Sequence, residues 1–197
     1  MRLVAVSQRV DTIAERGEVR DALDQRLSLL VAAVGALAIP VPNLLHQKGC
    51  LGAWLAEVRP NALLLSGGND IGNVWDRDQT ESQLLEFGRE SGIPVLGICR
   101  GMQMLAQWAG GRLKPVQGHV RTHHLLTGEL VGNVNSFHSF ALDGCPVGFR
   151  CLASAEDGEI EAIHHRILPW EGWMWHLERE SPFVSRDLER MKQLFEI

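Results

Sequence analysis

No stretch of this 197-residue chain has the length and apolarity of a membrane-spanning helix. Its longest apolar segment, Leu27 to Pro40, is broken by Gly35 and ends in proline. Lysine and arginine form no run and the net charge is −5, which argues against nucleic acid or an acidic membrane surface as the main partner. The N-terminus, Met1 to Val6, is apolar for too few residues to be the core of a secretion signal and reads as a first strand. The four cysteines, Cys50, Cys99, Cys145 and Cys151, form no C-x-x-C pair. Reduced thiols in a cytoplasmic protein are therefore expected, with Cys145 and Cys151 as small buried side chains. Internal repeats, low-complexity tracts and linkers are also lacking. With 45% hydrophobic and 22% charged residues, the expectation is one globular domain over residues 1–197.

What is present alternates between strand and helix signals. Leu3 to Val6 is a short buried-type strand. Val19 to Leu37 carries Leu23, Leu27, Leu30, Val31 and Val34 at a helical period. Ile39 to Pro42 is extended, Leu51 to Val58 is helical, and Ala62 to Leu65 is a central strand. Ser82 to Glu90 is a further helix, followed by the apolar run from Ile93 and a helix from Met102 to Trp108. Such βαβ units imply an α/β fold: a three-layer, mostly parallel, flavodoxin-like sheet with flanking helices. After Gly111 short β-like runs dominate (133–136, 149–155, 160–164 and 173–176), giving a β-rich C-terminal third closed by an amphipathic helix from Ser181 to Phe195.

The most informative stretch is Gly97-Ile98-Cys99-Arg100-Gly101. A strand, a sharp glycine-flanked turn and a helix form a nucleophile elbow, here with cysteine as the nucleophile. The turn lifts the sulfur clear of the strand and sets it at a helix N-terminus, where dipole and unpaired N–H groups favour an anion. The plain alternative is a cysteine packed in a strand. In an open α/β sheet ligands bind outside the carboxyl ends of the strands, and a second glycine loop, Ser66-Gly67-Gly68-Asn69-Asp70, falls at such an end. It is either a simple turn or a source of N–H donors to an oxyanion. A thiol nucleophile also needs a base and a group to orient it. His176 and Glu178, two apart in an extended segment, can share one face. Taken alone, that pattern is weak.

Several motifs occur in one order: Arg77-Asp78 with Glu81, Gly97 to Gln103, Val134-Asn135-Ser136 with His138, Asp157-Gly158 with Ile160-Glu161-Ala162, and Trp175-His176 with Glu178. Together they resemble the class I glutamine amidotransferase superfamily, and within it the γ-glutamyl hydrolase branch of cysteine peptidases. The resemblance implies that Cys99 attacks a γ-amide carbonyl to form a γ-glutamyl thioester, that His176 moves the proton, and that Glu178 orients His176. It implies an oxyanion hole from the backbone N–H groups of Gly68 and Arg100. It also implies that Gln103 and the segment Phe137, His138, Ser139 and Phe140 grip the glutamyl group.

The chain departs from that branch at Ser139 and Phe140, where a second histidine and a glutamine are usual, and at Leu177, where proline is usual. Ser7-Gln8-Arg9, the stretch from Ser136 to Phe140, and Met174 to Glu180 resemble a bacterial surface-polysaccharide subgroup. That subgroup includes an enzyme that releases glutamate from a cytidine diphosphate-linked glutamine phosphoramidate. Arg9, Arg16 and Arg20 would then be candidates for the pyrophosphate, since guanidinium forks suit phosphate; as plain alternatives they are solvated arginines.

The expected activity is therefore cofactor-free hydrolysis of a small-molecule γ-glutamyl substrate, by a free-standing enzyme or homodimer. Three alternatives stand beside it: a glutaminase subunit feeding ammonia to a synthetase partner, a hydrolase of another γ-glutamyl amine such as γ-glutamyl-GABA, and a non-catalytic binding protein on the same fold. No metal is expected. The adjacent pairs His123-His124 and His164-His165 point to opposite strand faces and make no natural chelate. His119 reads as a surface-loop histidine, and Trp170, Trp173 and Trp175 as core or pocket wall.

Overall fold

The computed structural model describes all residues, 1–197. Its strands are β1 (Arg2–Ser7), β2 (Arg9–Ile13), β3 (Glu18–Ala22), β4 (Ala36–Val41), β5 (Ala62–Leu65), β6 (Val95–Ile98), β7 (Leu113–Pro115), β8 (Val120–Gly128), β9 (Gly132–Phe137), β10 (Phe140–Leu142), β11 (Phe149–Ser154), β12 (Ile160–His165) and β13 (Trp170–Trp173). Five helices accompany them: α1 (Gln25–Ala33), α2 (Cys50–Val58), α3 (Trp75–Ser91), α4 (Arg100–Trp108) and α5 (Ser185–Phe195).

Nine strands form one mixed sheet in the order β4-β1-β5-β6-β13-β12-β11-β8-β9. From β4 to β13 neighbours run parallel. From β13 to β9 they run antiparallel. The parallel half has the strand order 2-1-3-4-5 of flavodoxin-like folds. Every residue of β5, β6 and β13 is buried, as expected of strands covered on both faces, and Trp170 and Trp173 have no exposed surface. The stacked rings of Trp173 and Trp175 belong to this core.

Three expectations need correction. The helix expected over Val19 to Leu37 is two strands and a shorter helix. Val19 lies in the β2–β3 hairpin, α1 starts only at Gln25 under an N-cap from Asp24, and Leu37 lies in β4. Secondly, α3 begins at Trp75 rather than Ser82, because its first turns bury charged side chains instead of apolar ones. Thirdly, Cys145 and Cys151 are exposed, as is Cys50. No helix is long and apolar enough to cross a membrane.

All the carboxyl ends of the parallel strands open on one edge. Arg9 follows β1, the Ser66–Gly68 loop follows β5, Cys99 follows β6 and His176 follows β13. The turn between β6 and α4 depends on two close approaches. A Cβ on Gly97 would lie 2.5 Å from the carbonyl of Gly101, and one on Gly101 would overlap the carbonyl oxygen of Leu65. Gly101→Ala should therefore destabilise the fold by about 1–3 kcal/mol through overpacking. Gly52→Ala is the control, since a Cβ there meets nothing within 4 Å and replaces a helical glycine. Urea denaturation of both variants checks this: the midpoint should fall for the first and hold or rise for the second.

Candidate active site

Cys99 is the N-cap of α4 and has φ 50 and ψ −105, a conformation that non-glycine residues rarely adopt. Two ladder contacts hold it there. Its N–H donates to the Trp173 carbonyl at 2.8 Å, and its carbonyl accepts from the Gln103 N–H at 3.1 Å. Strain held by the surrounding structure at a helix start is the geometry of a nucleophile elbow. Arg100 occupies the first position of α4, where a backbone N–H has no partner within the helix.

His176 leaves β13 beside this turn and Nδ1 lies 2.6 Å from Glu178 Oε1. Its ring stands beside Cys99, near enough for the thiol to raise its affinity for a proton. Asn135 of β9 fixes the His176 backbone twice: its Oδ1 accepts from the His176 N–H at 2.9 Å, and its Nδ2 donates to the His176 carbonyl at 2.8 Å. Arg26 of α1 donates from Nε to the Glu178 carbonyl at 2.5 Å, tying down the following turn. Gly67 lies flush against the imidazole, since a Cβ there would sit 2.7 Å from His176 Cε1. Burial lowers the tendency of His176 to protonate. The neighbouring Cys99 and the hydrogen-bonded Glu178 outweigh that and lift the imidazole to about 9.

The loop facing Cys99 is shaped by a buried charge network. Arg77 of α3, with no exposed surface, donates to the Ser66 carbonyl at 2.7 Å and the Gly67 carbonyl at 3.0 Å, and also to the Gly68 carbonyl. The Gly68 N–H makes no hydrogen bond within the chain. Arg77 Nε pairs with Glu81 at 3.0 Å, and the other Glu81 oxygen takes Arg100 Nη1, whose Nη2 reaches Asp78. The Ser7 hydroxyl donates to Glu81 at 2.8 Å and accepts from the Ser66 N–H at 2.9 Å.

Between these elements lies a cavity of ≈ 140 Å³. It gathers Gly68, Cys99, Arg100, Gln103, Phe137, His138, Ser139, Phe140 and His176, all named from the sequence as candidates. Gln103 Nε2 donates to the Phe140 carbonyl at 2.9 Å, and His138 Nδ1 meets the same carbonyl at 3.0 Å. A smaller cavity of ≈ 60 Å³ on the other side of Gly68 is lined by Arg9, His176 and Glu178. Arg16, at the tip of the β2–β3 hairpin, and Arg20, paired with Glu18, line neither cavity. The structure thus brings one of the three candidate phosphate arginines to the site.

Sequence reasoning missed Arg179, which lines both cavities and stacks 4.2 Å from the Phe137 ring centroid. Its signal was the departure just after Leu177. His119 is the reverse case, for it is 1% exposed rather than a surface residue. With His124 and Glu161 it forms a cluster of possible metal ligands, assembled from separate elements and not from an adjacent histidine pair.

Glu81 is held below the ordinary carboxylate range: burial raises it, but Arg100 and Arg77 lower it further. Its stabilisation is therefore present at neutral pH and is lost as pH falls through that lowered value. Glu81→Gln leaves two buried guanidiniums short of a partner and should cost about 3–5 kcal/mol, read from the urea midpoint. For His176 the sign is opposite. Its contribution is complete below the free-histidine value of ~6.5 and disappears as pH rises through about 9. Imidazole NMR should show that titration, moving toward the free value in Glu178→Gln; an unshifted wild-type histidine would contradict the geometry.

Residues 18–183 match the family described as glutamine amidotransferase class-I. The chain is 36% identical over 142 residues to the gamma-glutamyl-CDP-amidate hydrolase of Campylobacter jejuni, covering 69% of this chain and 70% of that one. It is 29% identical over 148 residues to a glutamine-hydrolyzing GMP synthase subunit of Thermococcus kodakarensis, covering 69% and 76%. Among solved structures, a putative GMP synthase subunit from Thermoplasma acidophilum superimposes with a TM-score of 0.76 at 18% identity, over 100% of this chain and 93% of that one. The chain belongs to the class I glutamine amidotransferase family.

Proposed function

We propose that this protein hydrolyses a γ-glutamyl C–N bond, with Cys99 as nucleophile, His176 as proton carrier and Glu178 as its orienting carboxylate. The observation that carries the reading is the His176 ring, held at 2.6 Å by Glu178 and lining, together with Cys99, a cavity edged by Gln103. Because Nδ1 faces Glu178, Nε2 is the nitrogen that serves the sulfur.

In the first half-reaction His176, protonated at neutral pH because its affinity is raised, already holds the proton taken from Cys99, and the sulfur adds as a thiolate to the γ-carbonyl carbon. The resulting oxyanion is received by the N–H groups of Gly68 and Arg100. The C–N bond then breaks, His176 protonates the departing nitrogen, and a thioester remains. In the second half-reaction water adds to the thioester with the now neutral His176 taking its proton, the C–S bond breaks, glutamate is released and the starting Cys99–His176 pair is restored. The glutamyl group is held by Gln103 and the 137–140 segment. Gln103 Nε2 is already bound to the Phe140 carbonyl, which sets the amide so that Oε1 faces the cavity.

The substrate we infer is a CDP-linked glutamine phosphoramidate. Support comes from the similarity to the Campylobacter hydrolase and from Arg9 and Arg179, which flank the two cavities with guanidiniums suited to a pyrophosphate. Arg16 and Arg20 are too far around the hairpin to share that role without a change of shape. A second reading, a glutaminase subunit working with a synthetase, is favoured by the similarity to the GMP synthase subunit of Thermococcus.

Glutamate release from the CDP-linked compound, glutamine and γ-glutamyl-GABA separates these readings. The nucleotide compound should be the best substrate by kcat/KM, and Arg9→Ala should raise its KM while leaving that of glutamine unchanged. Glutaminase activity appearing only with an added synthetase would favour the second reading. Cys99→Ala should lower kcat by about 10⁶, and full activity in that variant would end the proposal.

A further inference from the structure

Glu161 is a carboxylate with no exposed surface, and neither of its oxygens has a hydrogen-bond partner. No lysine or arginine lies within ion-pair distance. Its near neighbours are two imidazoles, His119 Nδ1 and His138 Nε2, each 3.3 Å from Oε1. A buried carboxylate with neither a Lys or Arg partner nor a hydrogen-bond donor of good geometry is expensive.

The spacing of the three atoms is specific. His119 Nδ1 and His138 Nε2 are 3.2 Å apart, so with the 3.3 Å contacts to Glu161 the donors form a nearly equilateral triangle. A tetrahedral ion with bonds of about 2.0–2.1 Å sets its ligands about 3.3–3.4 Å apart. The second nitrogen of each ring is also committed. His119 Nε2 meets Asp157 Oδ2 at 2.8 Å, and His138 Nδ1 meets the Phe140 carbonyl at 3.0 Å. Metal-bound histidines are characteristically held this way, through a carboxylate or a backbone carbonyl. A fourth donor is at hand: His124, whose ring centroid is 4.0 Å from that of His119, offers a nitrogen within 4.8 Å of the His119 and Glu161 donor atoms.

We propose that His119, His138, Glu161 and His124 form a binding site for a divalent transition-metal ion of the Zn²⁺ class. Three imidazoles and one carboxylate suit such an ion better than Mg²⁺ or Ca²⁺, which take oxygen ligands. His124 turns inward by a ring rotation to complete the set. His119, His138 and Glu161 are buried and His124 is half-buried, and four protein donors leave no open position, which marks the site as structural rather than a second catalytic centre. It joins the start of β8, the end of β9 and β12, and through His138 it fixes one wall of the cavity that holds Cys99.

The test uses full-length Cys99→Ala protein, which removes the reactive thiol as a competing ligand, stripped with EDTA and titrated with ZnCl₂ by calorimetry. One equivalent should bind saturably, and Tm should rise with Zn²⁺ concentration. Co²⁺ should give the intense visible absorption of a tetrahedral site. His119→Ala and Glu161→Gln should abolish both signals, while His164→Ala keeps them. Should the buried variants fail to fold, two partly exposed positions decide. Asp157→Ala should weaken Zn²⁺ binding roughly 10–100-fold, and His124→Ala by at least as much. No saturable Zn²⁺ binding to the Cys99→Ala protein, or undiminished affinity in both Asp157→Ala and His124→Ala, would overturn the proposal.

Discussion

A guanidinium with no exposed surface constrains the geometry of the active edge. Arg77 cannot shed its charge, so each of its donors needs an acceptor. The acceptors are Glu81 and the successive carbonyls of Ser66, Gly67 and Gly68. Turning three carbonyls of one loop toward a single buried cation leaves that loop one shape. It also leaves the Gly68 N–H without an internal acceptor, which is the state an oxyanion donor requires. Glu81 carries the same constraint to Arg100, and so to the first turn of α4 that begins at Cys99. Loop and elbow are thus set by one charge cluster, although they follow different strands.

The mixed sheet divides the work. Its parallel half supplies the strand ends from which the Gly68 loop and Cys99 project. The antiparallel half supplies Asn135 and the 137–140 segment, and the segment that leaves β13 at the seam carries His176. The site is complete only where the halves meet. Asn135 binds both the N–H and the carbonyl of His176, so the imidazole is placed by β9 as well as by the segment that follows β13.

The parallel half was legible in the sequence because β5, β6 and the elbow are continuous apolar runs ended by glycine loops. That pattern has one reading, a strand buried on both faces. The β2–β3 hairpin was not legible. Its residues are largely exposed, and Val19 fell into register with the helical period of Leu23 and Leu27. Likewise the first two turns of α3 carry Arg77, Asp78 and Glu81 inward, so no apolar period marks them, though the same residues contributed to the family resemblance. The candidate triad was read from motif order, since nothing in the spacing between Cys99 and His176 predicts their contact. His138 and Glu161 stood in motifs that carried the family resemblance, but nothing local joined them to His119 and His124. The members come from the approach to β8, β8 itself, the end of β9 and β12, and the β8–β9, β8–β11 and β11–β12 pairings bring them together.

His138 links these two levels. One face of its ring lines the Cys99 cavity, Nδ1 meets the Phe140 carbonyl that also accepts from Gln103, and Nε2 faces His119 and Glu161. Any change at Glu161 therefore reaches Gln103 through two hydrogen bonds and one ring. A carbonyl can only accept, so the contact with Phe140 makes Nδ1 the protonated nitrogen of His138. A neutral ring donating from Nδ1 to the Phe140 carbonyl must present a lone pair at Nε2. That lone pair faces a carboxylate that has no donor of its own. The repulsion is relieved either by a proton shared across the His119–His138 contact or by a cation between the three groups. In both cases the Phe140 carbonyl, and the orientation of the Gln103 amide with it, depends on how the buried charge of Glu161 is compensated.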